Sequence, residues 1–98
     1  MSKLTHIATL RAANGKSEML GAALQELVSP TRAETGCLSY ELHRGKDDRE
    51  IWVVYERWNS PTDADAHLAQ PYVQKFITRL GDLVVGDIAV LRCEYISM

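Results

Sequence analysis

The chain has 98 residues, which is enough for one domain, and we take residues 1–98 as that domain. A domain of this size buries only a modest core, so a partner subunit would add stability. The net charge of −2 and the scattered lysines and arginines argue against nucleic acid as a partner. No apolar run reaches the roughly 20 residues that span a bilayer, and no signal-peptide core is evident, so we expect a cytoplasmic protein with no membrane partner. Cys37 and Cys93 lack Cys-x-x-Cys spacing, and we expect both to be reduced.

The first predicted elements are a strand and a helix. Leu4 to Arg11 alternates between apolar and polar residues, which predicts a half-buried strand, and Asn14-Gly15 predicts the turn after it. From about Ser17 a helix is predicted, and Ser29-Pro30 should kink or fray its end. Its apolar stripe recurs at three- and four-residue spacing: Leu20, Ala23, Leu24, Leu27 and Val28.

A hairpin is predicted next. Thr35-Gly36 makes a tight turn into a second strand, Cys37 to Arg44. The polar loop from Gly45 to Arg49 leads to a third strand, Glu50 to Trp58. Because the loop is short, the two strands should pair antiparallel.

The start of the second helix is specified by three residues. Ser60 can cap the first turn, and Pro61 suits the first helical position because its missing N–H would be unpaired there. Asp63 adds negative charge at the positive end of the helix. This helix should end near His67.

The remaining chain predicts a further helical segment and a last strand. Gln70-Pro71 marks a break, after which an apolar stripe continues until Gly81 stops it, and Val84 to Tyr95 closes the chain as a strand. The order of elements predicts an α+β fold of the ferredoxin-like β-α-β-β-α-β type, with a four-stranded antiparallel sheet and helices on one face.

The third strand is apolar on both faces, with Ile51, Val53 and Tyr55 on one and Trp52, Val54 and Trp58 on the other. Helices cover only one face of such a sheet, and soluble monomers rarely leave apolar patches of more than a few hundred Å² exposed. We therefore expect a homodimer in which two sheets pack face to face.

A pocket is expected where the third strand ends and the second helix follows. Glu56, Trp58 and His67 would bring a carboxylate, a large aromatic ring and a titratable imidazole together on an apolar wall. Glu56 would either orient His67 or pair with an arginine. Phe76, on the following helix, would add to the apolar wall, and Tyr72 would either offer its hydroxyl to a substrate oxygen or cap the apolar stripe.

Two further histidines, His6 and His43, occupy strand positions that would place them on the same helix-covered side. All three histidines together would make a metal site conceivable, but no local spacing such as His-x-His supports one, and we predict no metal. The glycines form no phosphate- or dinucleotide-binding loop.

Short motifs occur along the whole chain in the order found in a known family: Glu34-x-Gly36-Cys37-Leu38-x-Tyr40, Glu56-x-Trp58-x-Ser60, Ala66-His67 and Phe76. On these motifs the chain resembles the antibiotic biosynthesis monooxygenase family, which consists of small dimeric α+β barrels and includes quinol monooxygenases.

The resemblance implies a monooxygenase that oxidises a phenol or hydroquinone with O₂ and needs no cofactor, because the deprotonated substrate supplies the electrons. Its catalytic residues would be His67, as the base, and Glu56. The substrate would be bound by Trp58, Tyr72, Phe76, His43 and His6.

Two alternatives remain open at the level of sequence. One is an isomerase of a small ketone; a phosphorylated ketone would need a basic pocket, built from Arg57, Arg79 or Arg92. The other is a dimeric protein that binds small molecules or serves in a stress response without catalysis. The resemblance also disfavours haem degradation, because the similar enzymes that degrade haem place a haem-ligating histidine in this helical segment, and Tyr72 to Arg79 contains none.

Overall fold

The computed structural model describes residues 3–96. Met1, Ser2, Ser97 and Met98, which the predicted domain bounds include, lie outside the described residues. The elements are β1 Leu4–Arg11, α1 Ser17–Arg32, β2 Cys37–Arg44, β3 Ile51–Trp58, α2 Pro61–Leu68, α3 Pro71–Thr78, α4 Leu80–Leu83 and β4 Ala89–Glu94.

The four strands form one sheet in the order β2-β3-β1-β4, and every neighbouring pair is antiparallel. The helices pack on one face of this sheet, so that the predicted ferredoxin-like α+β fold is confirmed. Among residues 3–96, no helix is both long enough and apolar enough to cross a bilayer.

The core lies between the sheet and the apolar stripe of α1. The predicted stripe residues of α1 are all buried. On β3, alternate side chains point to the two faces of the sheet, as in any strand. Val54, Glu56 and Trp58 are buried on the helix-covered face, whereas Val53 and Tyr55 on the other face are only partly buried.

The start of α2 agrees with the prediction. The hydroxyl of Ser60 accepts a hydrogen bond from the Asp63 backbone N–H at 3.2 Å and donates one to the Asp63 carboxylate at 2.9 Å. Pro61 occupies the first turn. The Asn59 N–H donates to the Gly36 carbonyl at 2.9 Å, which ties the entry to α2 to the entry to β2. These contacts fix the helix that carries His67.

Helix α1 is longer than predicted, since it continues through Pro30 to Arg32. Proline has no backbone N–H and therefore removes one internal hydrogen bond from a helix. Because Pro30 lies two residues before the end of α1, little of the helix follows it and the disturbance is small. The backbone N–H groups of Ala33 and Glu34 then donate to the carbonyls of Pro30 and Thr31, which closes the helix with a tight turn.

The last part of the chain also differs from the prediction. Gly81 lies within the short helix α4 and does not stop a helix there. Strand β4 begins at Ala89, and Val84 makes only an isolated bridge. Gly86 has a positive φ of 70°, a conformation that interrupts an extended strand and that glycine adopts without strain.

Candidate active site

A cavity of about 560 Å³, called the main cavity below, lies between the sheet and the helices. Much of its wall is aliphatic or aromatic, with side chains from the sheet, α1, α3 and the segment before β4: Ala8, Leu10, Leu24, Leu27, Val54, Phe76, Ile77, Ile88 and Val90. Its polar side chains are Tyr40, Glu56, Asp65, His6, His67 and Arg92. A cavity that is mostly apolar with a few convergent polar groups is typical of small-molecule sites.

Four of the polar side chains form one row across the sheet. His6 is the register partner of Glu56 on one side and of Arg92 on the other, and Tyr40 pairs with Glu56. Each residue of this polar row comes from a different strand. The next row on the same face is apolar, with Ala8, Val54, Val90 and Leu42. A ligand in the main cavity therefore meets a polar end and an apolar end.

Glu56 is buried in the polar row, and its Oε1 atom accepts a hydrogen bond from the Trp58 indole N–H at 2.7 Å. The same oxygen lies 3.7 Å from Nδ1 of His6. The expectation that Glu56 orients His67 or pairs with an arginine is therefore corrected. Its neighbours are Trp58 and His6, because the register of β1 and β3 sets His6 directly opposite.

His67 is held by a different carboxylate. Its Nδ1 atom lies 2.8 Å from Oε2 of Glu34, in the turn between α1 and β2, and both side chains are largely buried. The Tyr72 hydroxyl donates to the same Glu34 oxygen. The imidazole also packs against Trp58, with 4.8 Å between ring centroids, and against Tyr40, at 5.7 Å. The position of the ring is thus fixed from several sides.

The contact with Glu34 determines which nitrogen of His67 is available for chemistry. A carboxylate only accepts, so Nδ1 carries the proton that is shared with Glu34. In the neutral ring the other nitrogen, Nε2, is then unprotonated. No group among residues 3–96 forms a hydrogen bond with Nε2. Nε2 is therefore the nitrogen of His67 that can accept a proton, and the His67 side chain lines the main cavity.

Gly36 allows this arrangement by letting α2 approach the turn that carries Glu34. A Cβ atom at Gly36 would lie 2.1 Å from Cγ of Asp63 and 2.4 Å from its Cβ. Such distances are far inside van der Waals contact. The absence of a side chain at position 36 thus lets Asp63, and with it the start of α2, lie against the turn that carries Glu34.

The structure brings some of the predicted site residues together and separates others. His67, Glu56, His6 and Phe76 line the main cavity. Trp58 is fully buried and lies behind Glu56 and His67, so it supports the wall rather than forming it.

Tyr72 lies outside the main cavity. It lines a separate polar cavity of about 440 Å³ on the other side of Glu34. Burial, and then its hydrogen bond to Glu34, raise the pKa of the Tyr72 hydroxyl, so that it remains a donor at neutral pH.

The prediction that His43 shares the helix-covered face is wrong. His43 pairs with Val53 on the opposite face, where its exposed ring contacts Glu41 at 3.2 Å. The reason is the register of β2, in which Tyr40 and Leu42 take the inward positions. The three histidines therefore do not converge, and the described residues contain no cluster of three His, Cys, Asp or Glu side chains suited to a metal ion.

His6 lies in the polar row beside a guanidinium. Nε of Arg92 donates to Nε2 of His6 at 3.3 Å. Burial lowers the pKa of His6, Glu56 opposes this shift, and Arg92 adds to it. His6 is thus biased toward its neutral form.

The sequence does not single out Glu34 and Tyr40 as site residues, and it suggests Arg92 only as part of a phosphate-binding pocket. Glu34 and Tyr40 stood in a recognised motif, which was the available signal. Arg92 gave no local signal, because only the pairing of β1 with β4 places it beside His6.

Comparison with known proteins agrees with this architecture. The family model described as antibiotic biosynthesis monooxygenase matches residues 4–79. The Mycobacterium tuberculosis protein named "Putative monooxygenase Rv0793" is 37% identical over 71 residues, which cover 72% of this chain and 69% of that protein.

Two solved structures match nearly the whole chain. Rv0793 from Mycobacterium tuberculosis superposes with a TM-score of 0.93 at 29% identity, covering 99% of this chain and 98% of that one. PA3566 from Pseudomonas aeruginosa has a TM-score of 0.93 at 30% identity, covering 99% of this chain and 97% of that one. With its motifs, its fold and this match over residues 4–79, the chain belongs to the antibiotic biosynthesis monooxygenase family.

Proposed function

We propose that this protein is a cofactor-independent monooxygenase that oxidises a phenol- or hydroquinone-type aromatic substrate with O₂. The observation that supports the proposal is the state of His67, which lines a mostly apolar cavity and whose Nδ1–H is committed to Glu34, so that Nε2 is the nitrogen left to accept a proton. Membership of the family supports the reaction class. The cavity, at about 560 Å³, has room for an aromatic ring system.

The reaction needs one base that takes and returns protons. His67 Nε2 removes the hydroxyl proton of the substrate, and the phenolate gives one electron to O₂, forming a phenoxyl radical and superoxide. The two radicals combine at a ring carbon that bears hydrogen, and the resulting peroxide takes the proton back from the imidazolium. His67 then removes the hydrogen from that carbon as a proton, a carbonyl forms, and the O–O bond breaks. The imidazolium gives this proton to the departing hydroxide, which leaves as water, so that His67 is neutral again. One substrate and one O₂ yield one quinone and one water.

The surroundings of His67 favour these steps. The Glu34 carboxylate stabilises the imidazolium that forms after each proton transfer, as an acidic partner does for a catalytic histidine. The aliphatic side chains of the wall give the radical pair a surrounding of low polarity. Phe76 lines the same cavity and offers an aromatic surface to the substrate ring.

The isomerase alternative is less well supported. A phosphorylated substrate requires a concentration of positive charge, but Arg57 stacks on Tyr95 and neither Arg57 nor Arg79 lines the main cavity. Arg92 does line it, together with the carboxylates of Glu56 and Asp65. The formal charge of these three side chains is negative, which disfavours a phosphate group.

O₂ consumption by the purified, metal-free protein tests the proposal. With a panel of benzo- and naphthohydroquinones, corrected for autoxidation, we expect His67→Ala to lose at least about a hundredfold in rate, which is the usual contribution of a general base. His43→Ala is the matched control, since His43 lies on the other face, and it should retain the rate of the native protein. Equal rates for the native protein and His67→Ala would rule the mechanism out.

We further propose that the protein works as a homodimer through the open face of its sheet. One row of this face runs from Leu91 through Ile7 to Tyr55 across three strands, and Leu91 is 61% exposed. Val53 and Ile51 extend the apolar surface along β3. A second copy packed on this face would remove these side chains from water.

A further inference from the structure

The surroundings of His6 define which of its nitrogens carries the proton. A guanidinium has donors only, so the contact from Nε of Arg92 at 3.3 Å requires Nε2 of His6 to present its lone pair. In the neutral ring the proton is therefore on Nδ1. The nearest carboxylate oxygen, Oε1 of Glu56, is 3.7 Å from Nδ1, which is too long for a hydrogen bond.

Among residues 3–96, the Nδ1–H of His6 thus has no hydrogen-bond acceptor. It lies at the polar end of the main cavity. The Glu56 oxygen near it already accepts from the Trp58 indole at 2.7 Å. The His6 side chain is partly buried, and a ligand in the main cavity that supplies an acceptor oxygen gains a hydrogen bond from this donor.

We infer that His6 donates a hydrogen bond from Nδ1 to a second oxygen of the substrate, a carbonyl or phenolate oxygen, and that Arg92 is the positioning residue that holds His6 in this form. The inference rests on the proposed function, because His67 and His6 line the same cavity and each is assigned to a different oxygen of the substrate. His67 accepts a proton at Nε2, and His6 donates a hydrogen bond at Nδ1. The substrate class is therefore a hydroxylated aromatic with a separate acceptor oxygen.

The charges around His6 agree with a neutral donor. Burial is the largest influence and lowers its pKa, and Arg92 and His67 lower it further. Glu56 and Asp65 act in the opposite direction. A neutral imidazole keeps its N–H while it stabilises negative charge on the substrate, as a preorganised donor does in an oxyanion hole.

Anaerobic calorimetric titration with two neutral phenols tests the inference without turnover. 5-Hydroxy-1-tetralone has a phenolic hydroxyl and a separate carbonyl oxygen, whereas 5,6,7,8-tetrahydro-1-naphthol has the hydroxyl alone. We expect His6→Leu to weaken binding of the tetralone about tenfold, the usual effect of losing one hydrogen bond, and to change binding of the tetrahydronaphthol less than about twofold. His6→Gln keeps an N–H donor and should restore most of the affinity. Equal weakening of both ligands in His6→Leu would overturn the inference.

Nitrogen NMR of the histidine rings tests the role of Arg92. We expect His6 to carry its proton on Nδ1 in the native protein, and Arg92→Met to raise the pKa of His6 and mix the two tautomers. Arg79→Met removes the same charge away from the cavity and should leave the His6 signals unchanged. A proton on Nε2 in the native protein, or identical spectra for the two arginine variants, would overturn the inference.

These measurements do not depend on turnover. If no hydroquinone is oxidised but the ligand discrimination and the tautomer are as expected, then the proposed function fails and the donor role of His6 stands. If His6→Leu oxidises the substrate at the rate of the native protein and binds both ligands with native affinity, then the proposed function stands and the donor role of His6 fails.

Discussion

Nδ1 of His67 and Oε2 of Glu34 lie 2.8 Å apart, although 33 positions separate the two residues in the chain. The contact joins the second helical segment to the turn between α1 and β2. It gives a buried histidine a fixed tautomer, and it gives a buried carboxylate a charge-stabilising partner. The chemistry proposed for this protein depends on this contact more than on any other.

Replacing Glu34 with Gln tests this dependence. The amide is similar in size and can still accept from Nδ1, but it lacks the charge that stabilises the imidazolium. We expect kcat to fall about tenfold to hundredfold, equivalent to the roughly 1.5–3 kcal/mol of a charged hydrogen bond, with a smaller change in KM. Steady-state O₂ consumption measures both constants.

Glu26→Gln is the matched control, because this substitution removes the same charge at an exposed position of α1. It should leave kcat unchanged. A native kcat in Glu34→Gln would show that the carboxylate only supports the fold.

Gly36→Ala tests the close approach that brings Glu34 to His67. The added Cβ would lie 2.1 Å from Cγ of Asp63, so α2 must shift away from the turn. We expect a loss of about 1–3 kcal/mol in the free energy of unfolding, as for other overpacked sites, and a lower kcat because the helix that moves carries His67. Urea denaturation and O₂ consumption measure the two effects.

Gly81→Ala is the comparison for Gly36→Ala. A Cβ at Gly81 meets nothing within 4 Å, and the residue lies in the short helix α4. Alanine favours a helix over glycine by about 0.5–1 kcal/mol, so this variant should be as stable as the native protein or more so. Equal destabilisation of both variants would contradict the explanation by contact with Asp63.

The sequence was sufficient for the fold because the local signals agreed with one another. The cap at Ser60, the alternation along β3 and the turn at Gly36 each have a local cause, and each was found where predicted. The start of β4 is predicted too early, since the strand-like run from Val84 is interrupted by the positive φ of Gly86 and the strand begins at Ala89.

The site was harder to predict because its contacts depend on register and on long-range packing. Glu34 stands in a recognised motif, but nothing local indicates that His67 comes to it from another element. His43 was placed on the wrong face, because alternation shows that strand residues take two sides but only the pairing of β2 with β3 shows which side is covered. Arg92 joins the site through the edge strand β4 alone.

The proposed dimer predicts that a charge in the middle of the open sheet face will prevent association. Ile7 lies on the central strand β1 between Tyr55 and Leu91, so Ile7→Lys would bury an unpaired ammonium against the partner. We expect the native protein to sediment as a dimer and Ile7→Lys as a monomer at micromolar concentration. Gln25→Lys, at an exposed position of α1, adds the same charge and should remain dimeric. A monomeric native protein would disprove the dimer.

The depressed pKa of His6 predicts a contribution to the pH dependence of stability. Its pKa in the folded protein is below the ordinary value of about 6.5, with burial as the main cause. As the pH falls below about 6.5, the unfolded chain therefore binds a proton at His6 before the folded protein does, and the free energy of unfolding decreases until the pH has passed the folded pKa. Above about pH 7 the residue is neutral in both states and contributes no pH dependence.

His6→Gln isolates this contribution, since glutamine does not titrate and Glu56, Asp65, Arg92 and His67 still face the position. We expect the free energy of unfolding of the native protein to fall more steeply between pH 7 and pH 5 than that of His6→Gln. Urea denaturation at one fixed protein concentration measures the difference without interference from association. If the two curves run parallel over this range, then His6 has the same pKa in the folded and unfolded states, and the environment described for the polar row is incorrect.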